Sequence, residues 1–138
     1  MSEAYTGGCA CGAIRYEIPG EPIFLNDCQC RDRQRKSGTG HGSYLTFPGK
    51  RRVKLEGEAK HWDIVADSGN VKTRAFCPTC GSPVYMTFAA MPDLFTIHAG
   101  SLDDPSRYKP QALTYGVRGY AWDQIDPALP KFDKMPPK

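Results

Sequence analysis

Apolar and polar residues alternate along this chain in short bursts, and each burst ends at glycine, proline or a polar turn. Residues 13–18 alternate and stop at Pro19-Gly20, the pattern of a half-buried strand. Residues 22–25 form a second extended piece, and 43–47 a third that stops at Pro48-Gly49. Further strands are predicted over 52–56, 61–65, 71–76, 83–88, 94–99 and 112–115. Asp67-Ser68-Gly69-Asn70 between two of them is a hairpin-type turn. One short helix fits residues 31–36, closing at Ser37-Gly38, and residues 38–42 are too rich in glycine for regular structure. The expectation is a mainly β fold of antiparallel sheets with little helix. Trp62, Trp122 and the tyrosines are expected to pack in the core, with Trp122 anchoring the tail, and His61 and His98 to be packing or edge residues.

Composition narrows the class without changing this picture. A chain of 138 residues suits one domain over 1–138, with a core from about 6 to 132 and a proline-containing tail over 133–138 that frays. Its 40% hydrophobic and 24% charged residues are those of an ordinary globular protein. Fourteen glycines and twelve prolines favour turns over long helices. A net charge of +3 is too modest to argue for nucleic acid as a partner, and no apolar run reaches the length of a membrane helix. The first residues lack the basic and apolar regions of a signal peptide, so the expected location is cytoplasmic. Thiols stay reduced there, and clustered cysteines more often hold metal than form disulfides. Two basic clusters stand out: Arg31, Arg33, Arg35 and Lys36, and then Lys50, Arg51, Arg52 and Lys54, the latter read as a charged edge strand. No pattern in the chain speaks to oligomeric state.

The candidate chemistry lies in six cysteines arranged as three pairs. Cys77-Pro78-Thr79-Cys80-Gly81 has the commonest spacing of a zinc hook, and Cys9-Ala10-Cys11 is a tighter hook flanked by Gly7, Gly8 and Gly12. A structural zinc takes two ligands from each of two such loops, so Cys9, Cys11, Cys77 and Cys80 are read as one zinc site. A redox role for the second hook would call for a βαβ setting that the pattern lacks. Cys28-Gln29-Cys30, next to the first basic cluster, is left over and marks a functional pocket.

The order Gly8-Cys9-x-Cys11-Gly12-x-x-Arg15-Tyr16, Cys28-x-Cys30, Ser37-Gly38, Phe76-Cys77-x-x-Cys80-Gly81 and Ala99-Gly100-Ser101-Leu102-Asp103-Asp104-Pro105 resembles the glutathione-dependent formaldehyde-activating enzyme family, which has an Mss4-like fold. The resemblance implies a carbon–sulfur lyase that joins a small-molecule thiol, glutathione, to formaldehyde as S-hydroxymethylglutathione, with neither nucleic acid nor membrane as partner. It implies a structural zinc at Cys9, Cys11, Cys77 and Cys80. It also implies a second, catalytic zinc whose first two ligands match Cys28 and Cys30 in a motif of the form Cys-His-Cys-x-x-Cys. Here Gln29 replaces the histidine and Arg33 the third cysteine. A guanidinium has no lone pair to give a metal.

Three outcomes follow for the second zinc. His41 swings in as a replacement ligand, zinc binds only together with a substrate thiolate, or the pocket holds no permanent metal. In the third, favoured case, Arg33 with Arg31 and Arg35 holds a thiolate at Cys28 or Cys30 by charge. Arg31, Arg35 and His41 are also candidates for contacts with an anionic thiol such as glutathione. The catalytic residues expected are thus Cys28, Cys30 and Arg33. The rival expectations are a zinc-stabilised binding module without catalysis and a thiol redox or sulfur-handling protein using Cys28 and Cys30.

Overall fold

The computed structural model describes residues 3–66 and 68–136. Its regular structure is mostly strand, in two sheets. The smaller sheet has the order β1-β2-β5, from β1 (Tyr5–Gly8), β2 (Arg15–Ile18) and β5 (Lys54–Glu56). The larger has seven strands in the order β10-β3-β4-β9-β8-β7-β6. These are β3 (Phe24–Cys28), β4 (Gly42–Phe47), β6 (Lys60–Val65), β7 (Val71–Phe76), β8 (Pro83–Phe88), β9 (Phe95–His98) and β10 (Ala112–Thr114).

The core is what the two sheets hide from water. Tyr5, Tyr16 and Ile18 of the small sheet face Leu45, Phe47, Val84, Phe95 and Ile97 of the large one in one buried cluster. Tyr5 meets Phe47 edge to face, with ring centroids 5.1 Å apart. Apart from Tyr5, these are apolar positions of the alternating bursts, so period-two patterning delivered most of the strands and their buried faces.

Most predicted strands lie where the pattern puts them, with β7 and β8 matching in full. The basic stretch 50–52 forms a 3-10 turn before β5. The turn over 67–70 joins β6 to β7, closed by Ala66 O accepting from Gly69 N at 2.9 Å; Asp67 itself lies outside the described residues. Met1, Ser2, Pro137 and Lys138, part of the readings for the start and the tail, also lie outside them.

Three expectations are corrected. The large sheet is not wholly antiparallel, because β10 runs parallel to β3. Trp122 is 64% exposed and stacks on Tyr120 instead of anchoring the tail in the core. Trp62 is 62% exposed on β6, the last strand of the large sheet, whose outward faces have no second layer over them.

The tail is fastened by polar contacts. Asp27 accepts from Tyr108 Oη and Ser43 Oγ, both at 2.7 Å, Asn26 donates to Thr114 Oγ1 at 2.9 Å, and Thr114 O accepts from Gln29 N at 3.0 Å. This cover explains why β3, an element ending in Asn26, Asp27 and Cys28, is nearly all buried.

Candidate functional site

The outer cysteines sit on two turns that belong to different sheets. Cys9 and Cys11 follow β1, in a turn closed by Gly12 N donating to Cys9 O at 3.2 Å. Cys77 and Cys80 occupy the turn between β7 and β8, closed by Gly81 N donating to Cys77 O at 2.9 Å. All four Sγ atoms lie within 4.8 Å of one another, with Cys9–Cys11 at 3.7 Å and Cys11–Cys77 at 3.6 Å. Four thiolates bound tetrahedrally at about 2.3 Å have sulfurs roughly 3.8 Å apart, so this set can hold one metal ion. Backbone amides also point at the sulfurs, from Ile14 to Cys9 at 3.2 Å and from Thr79 to Cys77 at 3.4 Å.

The inner pair is built at the end of β3. Cys28 is buried, and Cys30 caps α1 (Arg31–Ser37), accepting from Arg33 N at 3.4 Å. Gly38 ends α1 in the left-handed conformation (φ 78°), giving its N–H to Gln34 O at 3.0 Å. Buried Gln34 fixes the helix to its surroundings, donating to Gln29 O and Arg118 O at 3.0 and 3.1 Å.

Helix α1 thereby turns Arg33 inward. Its guanidinium lies 4.2 Å from the centre of the Tyr44 ring and gives Nη1–H to Met86 Sδ at 2.9 Å. The two thiols hold one proton between them. A hydrogen bond from Cys30, and after it the charge of Arg33, outweigh burial and bring Cys28 down to about 5. Cys30, the donor in that bond, is pushed up. The pair is a thiolate–thiol couple with a guanidinium beside it.

This donor set does not fit a three-thiolate metal. Among the described residues, no third histidine, cysteine or carboxylate joins Cys28 and Cys30 in a cluster of ligand size. His41, the candidate replacement, gives its Nδ1 to Asp123 at 2.9 Å. Asp123, whose side chain is only 6% exposed, also accepts from Gln29 Nε2 at 2.9 Å, and a side chain at Gly40 would overlap its carboxylate. Gln29 and His41 thus hold the segment after β10. Arg31 is exposed and donates to Gln34 Oε1 at 2.7 Å, and Arg35 is also exposed. Of the three arginines expected at the thiols, only Arg33 acts on them.

Several neighbours of the pocket escaped the sequence reading: Asp32, Tyr44, Arg74 and Met86; the sequence offers Lys36 only as part of the basic cluster, and His98 only as a packing or edge residue. Two signals were available. Asp32, Arg33 and Lys36 share one face of a helix by their spacing, and Lys72 and Arg74 share one face of a strand. Two clefts are lined by some of these neighbours, though not by Cys28, Cys30 or Arg33 themselves. One of about 580 Å³ is lined by Arg15, Ser37, His41, Ser43 and His98, and one of about 270 Å³ by Lys36, Trp62, Arg74 and Phe76; Pro83 borders both.

Among solved structures, the chain is similar to a Rhodobacter sphaeroides protein from a structural-genomics programme. The likeness has a TM-score of 0.57 at 18% identity, covering 74% of this chain and 93% of that one. At that identity the likeness concerns the fold. Residues 4–118 match the family described as glutathione-dependent formaldehyde-activating enzyme, and they include all three cysteine pairs in their characteristic order. The chain belongs to the glutathione-dependent formaldehyde-activating enzyme family.

Proposed function

We propose that this protein makes and breaks the carbon–sulfur bond of a glutathione-like thiol adduct, S-hydroxymethylglutathione in type, within one cytoplasmic domain spanning 1–138. Cys9, Cys11, Cys77 and Cys80 would hold a structural zinc, which supplies a four-bond clamp between the sheets. The observation that carries the reading is the Arg33 guanidinium set against Cys28 and Cys30 in a member of this family.

The reaction needs no oxidant. The sulfur of the incoming thiol bonds to the carbonyl carbon, the carbonyl π pair moves onto oxygen, and the thiol proton is replaced by one on that oxygen. The Cys28–Cys30 couple holds one proton for two sulfurs, so it can accept a proton from the thiol and return one to the oxygen. The charge of Arg33 stabilises the substrate sulfur as thiolate, the task that a metal performs elsewhere. Cleavage runs the same steps backwards.

The test is exchange spectroscopy on glutathione, formaldehyde and their adduct, with and without the protein. The wild-type chain should accelerate exchange, and Cys28→Ser should cut that acceleration by about 10²-fold, the low end of general acid–base catalysis. Exchange no faster than in buffer would sink the lyase reading. It would leave the second reading, a binding module without catalysis, which the arginine at the third ligand position favours.

A further inference from the structure

Buried polar side-chain atoms without a hydrogen bond are few in native proteins, and a concentration of them calls for an explanation. Among the described residues such atoms are Arg33 Nε, Lys36 Nζ, Tyr44 Oη, Arg74 Nε and His98 Nε2, besides Asp32 Oδ2, which is ion-paired. They form one neighbourhood. Arg33 lies over the Tyr44 ring, and Tyr44 pairs across the strands with His98, at 4.8 Å between rings. Arg33 also touches Met86, which pairs with Arg74 in the sheet. Lys36 is one turn along α1 from Arg33 and, with Arg33 and Arg74, is close enough to act on the His98 ring.

The charges here do not balance. Arg74 is ion-paired with Asp32, which also takes Lys72 at 3.0 Å, whereas among the described residues no carboxylate pairs with Arg33 or Lys36. The Cys28–Cys30 couple adds at most one further negative charge. The cationic groups of Arg33 and Lys36 are left over at a place where burial makes charge costly, and that burial brings Lys36 down to about 7. Every unpartnered atom of the five is a nitrogen or hydroxyl able to donate. Two edges of the cluster border open space: Lys36 and Arg74 line the smaller cleft, and His98 lines the larger.

We infer that Arg33, Lys36, Tyr44, Arg74 and His98 form a binding site for an oxyanion group, carboxylate or phosphate, of a small ligand that lies beside Cys28 and Cys30. The inference extends the proposed function to the anionic end of the substrate, yet it rests on unpartnered donors and surplus charge and not on turnover. The ligand class is an acidic small molecule; a neutral thiol would leave these donors as they are.

The test follows the side-chain Nε–H resonances of Arg33 and Arg74 in the full-length metal-loaded protein. Sodium acetate and inorganic phosphate are titrated separately at constant ionic strength set with chloride. At least one anion should shift both resonances along a saturating curve, and the one that does so identifies the group as carboxylate or phosphate. Lys36→Met should weaken that binding at least tenfold. It should also raise the melting temperature in anion-free buffer, because a buried unpaired charge has gone. A Lys50→Ala/Arg51→Ala control on the exposed basic turn should bind as the wild type does. Absent or linear shifts with both anions, or wild-type affinity in Lys36→Met, overturn the inference. None of these readouts involves catalysis, so a chain that binds anions without accelerating exchange loses only the lyase reading.

Discussion

Arg33 is the residue on which the inner pocket turns. A cysteine there would complete a three-thiolate set, whereas the guanidinium brings a fixed positive charge to the same two sulfurs. Burial opposes that charge, and the electron-rich faces of Tyr44 and Met86 together with the thiolate offset it. The consequence at Cys28 is testable by pH. Its thiol is held near 5, below the ordinary value of about 8.5, first by the Cys30 hydrogen bond and then by Arg33. An acid whose pKa falls on folding contributes stability that is complete above the unfolded value and is lost as pH falls through the folded one. Thiolate absorbance of the wild type minus that of Cys28→Ser should therefore persist at pH 7 and vanish around pH 5. A midpoint near 8.5 would mean that neither the Cys30 hydrogen bond nor the arginine acts on this sulfur.

At the level of elements, the two cysteine turns join the small sheet to the large one, since one follows β1 and the other links β7 to β8. Structural zinc sites contribute roughly 10–16 kcal/mol, comparable to or above the whole stability of a domain of this size. Removing metal with a tight chelator under reducing conditions should thus abolish the cooperative thermal transition, and re-adding zinc should restore it. A transition unchanged by the chelator would show that the core alone holds the sheets together. Both hooks and nearly every strand were legible in the sequence, because ligand spacing and period-two alternation are local signals. What escaped was non-local. The Tyr5–Gly8 strand carries two glycines and exists because it pairs with Arg15–Ile18. The parallel pairing of Ala112–Thr114 with Asn26–Cys28 joins segments more than eighty residues apart, and nothing local announces it. Trp62 and Trp122 were misplaced because hydrophobicity alone does not say which sheet face lacks a cover. The pocket was half legible: its cysteines and Arg33 stand in a motif, while Lys36, Arg74 and His98 reach it from α1, β7 and β9.

Over the whole molecule, the six cysteines divide into two unlike centres. The outer four are placed to hold one metal ion between the sheets, and no histidine, cysteine or carboxylate among the described residues adds a third ligand to the inner two. The inner two lie under the charge of Arg33 from α1. His41, the candidate replacement ligand, and Gln29 both hold Asp123 and with it the segment that follows the last strand. The most direct test is zinc counted per chain, by elemental analysis of protein purified without chelator, in the wild type and in Arg33→Cys. One zinc in the wild type and two in Arg33→Cys is the result this account predicts. Two zincs in the wild type would contradict it.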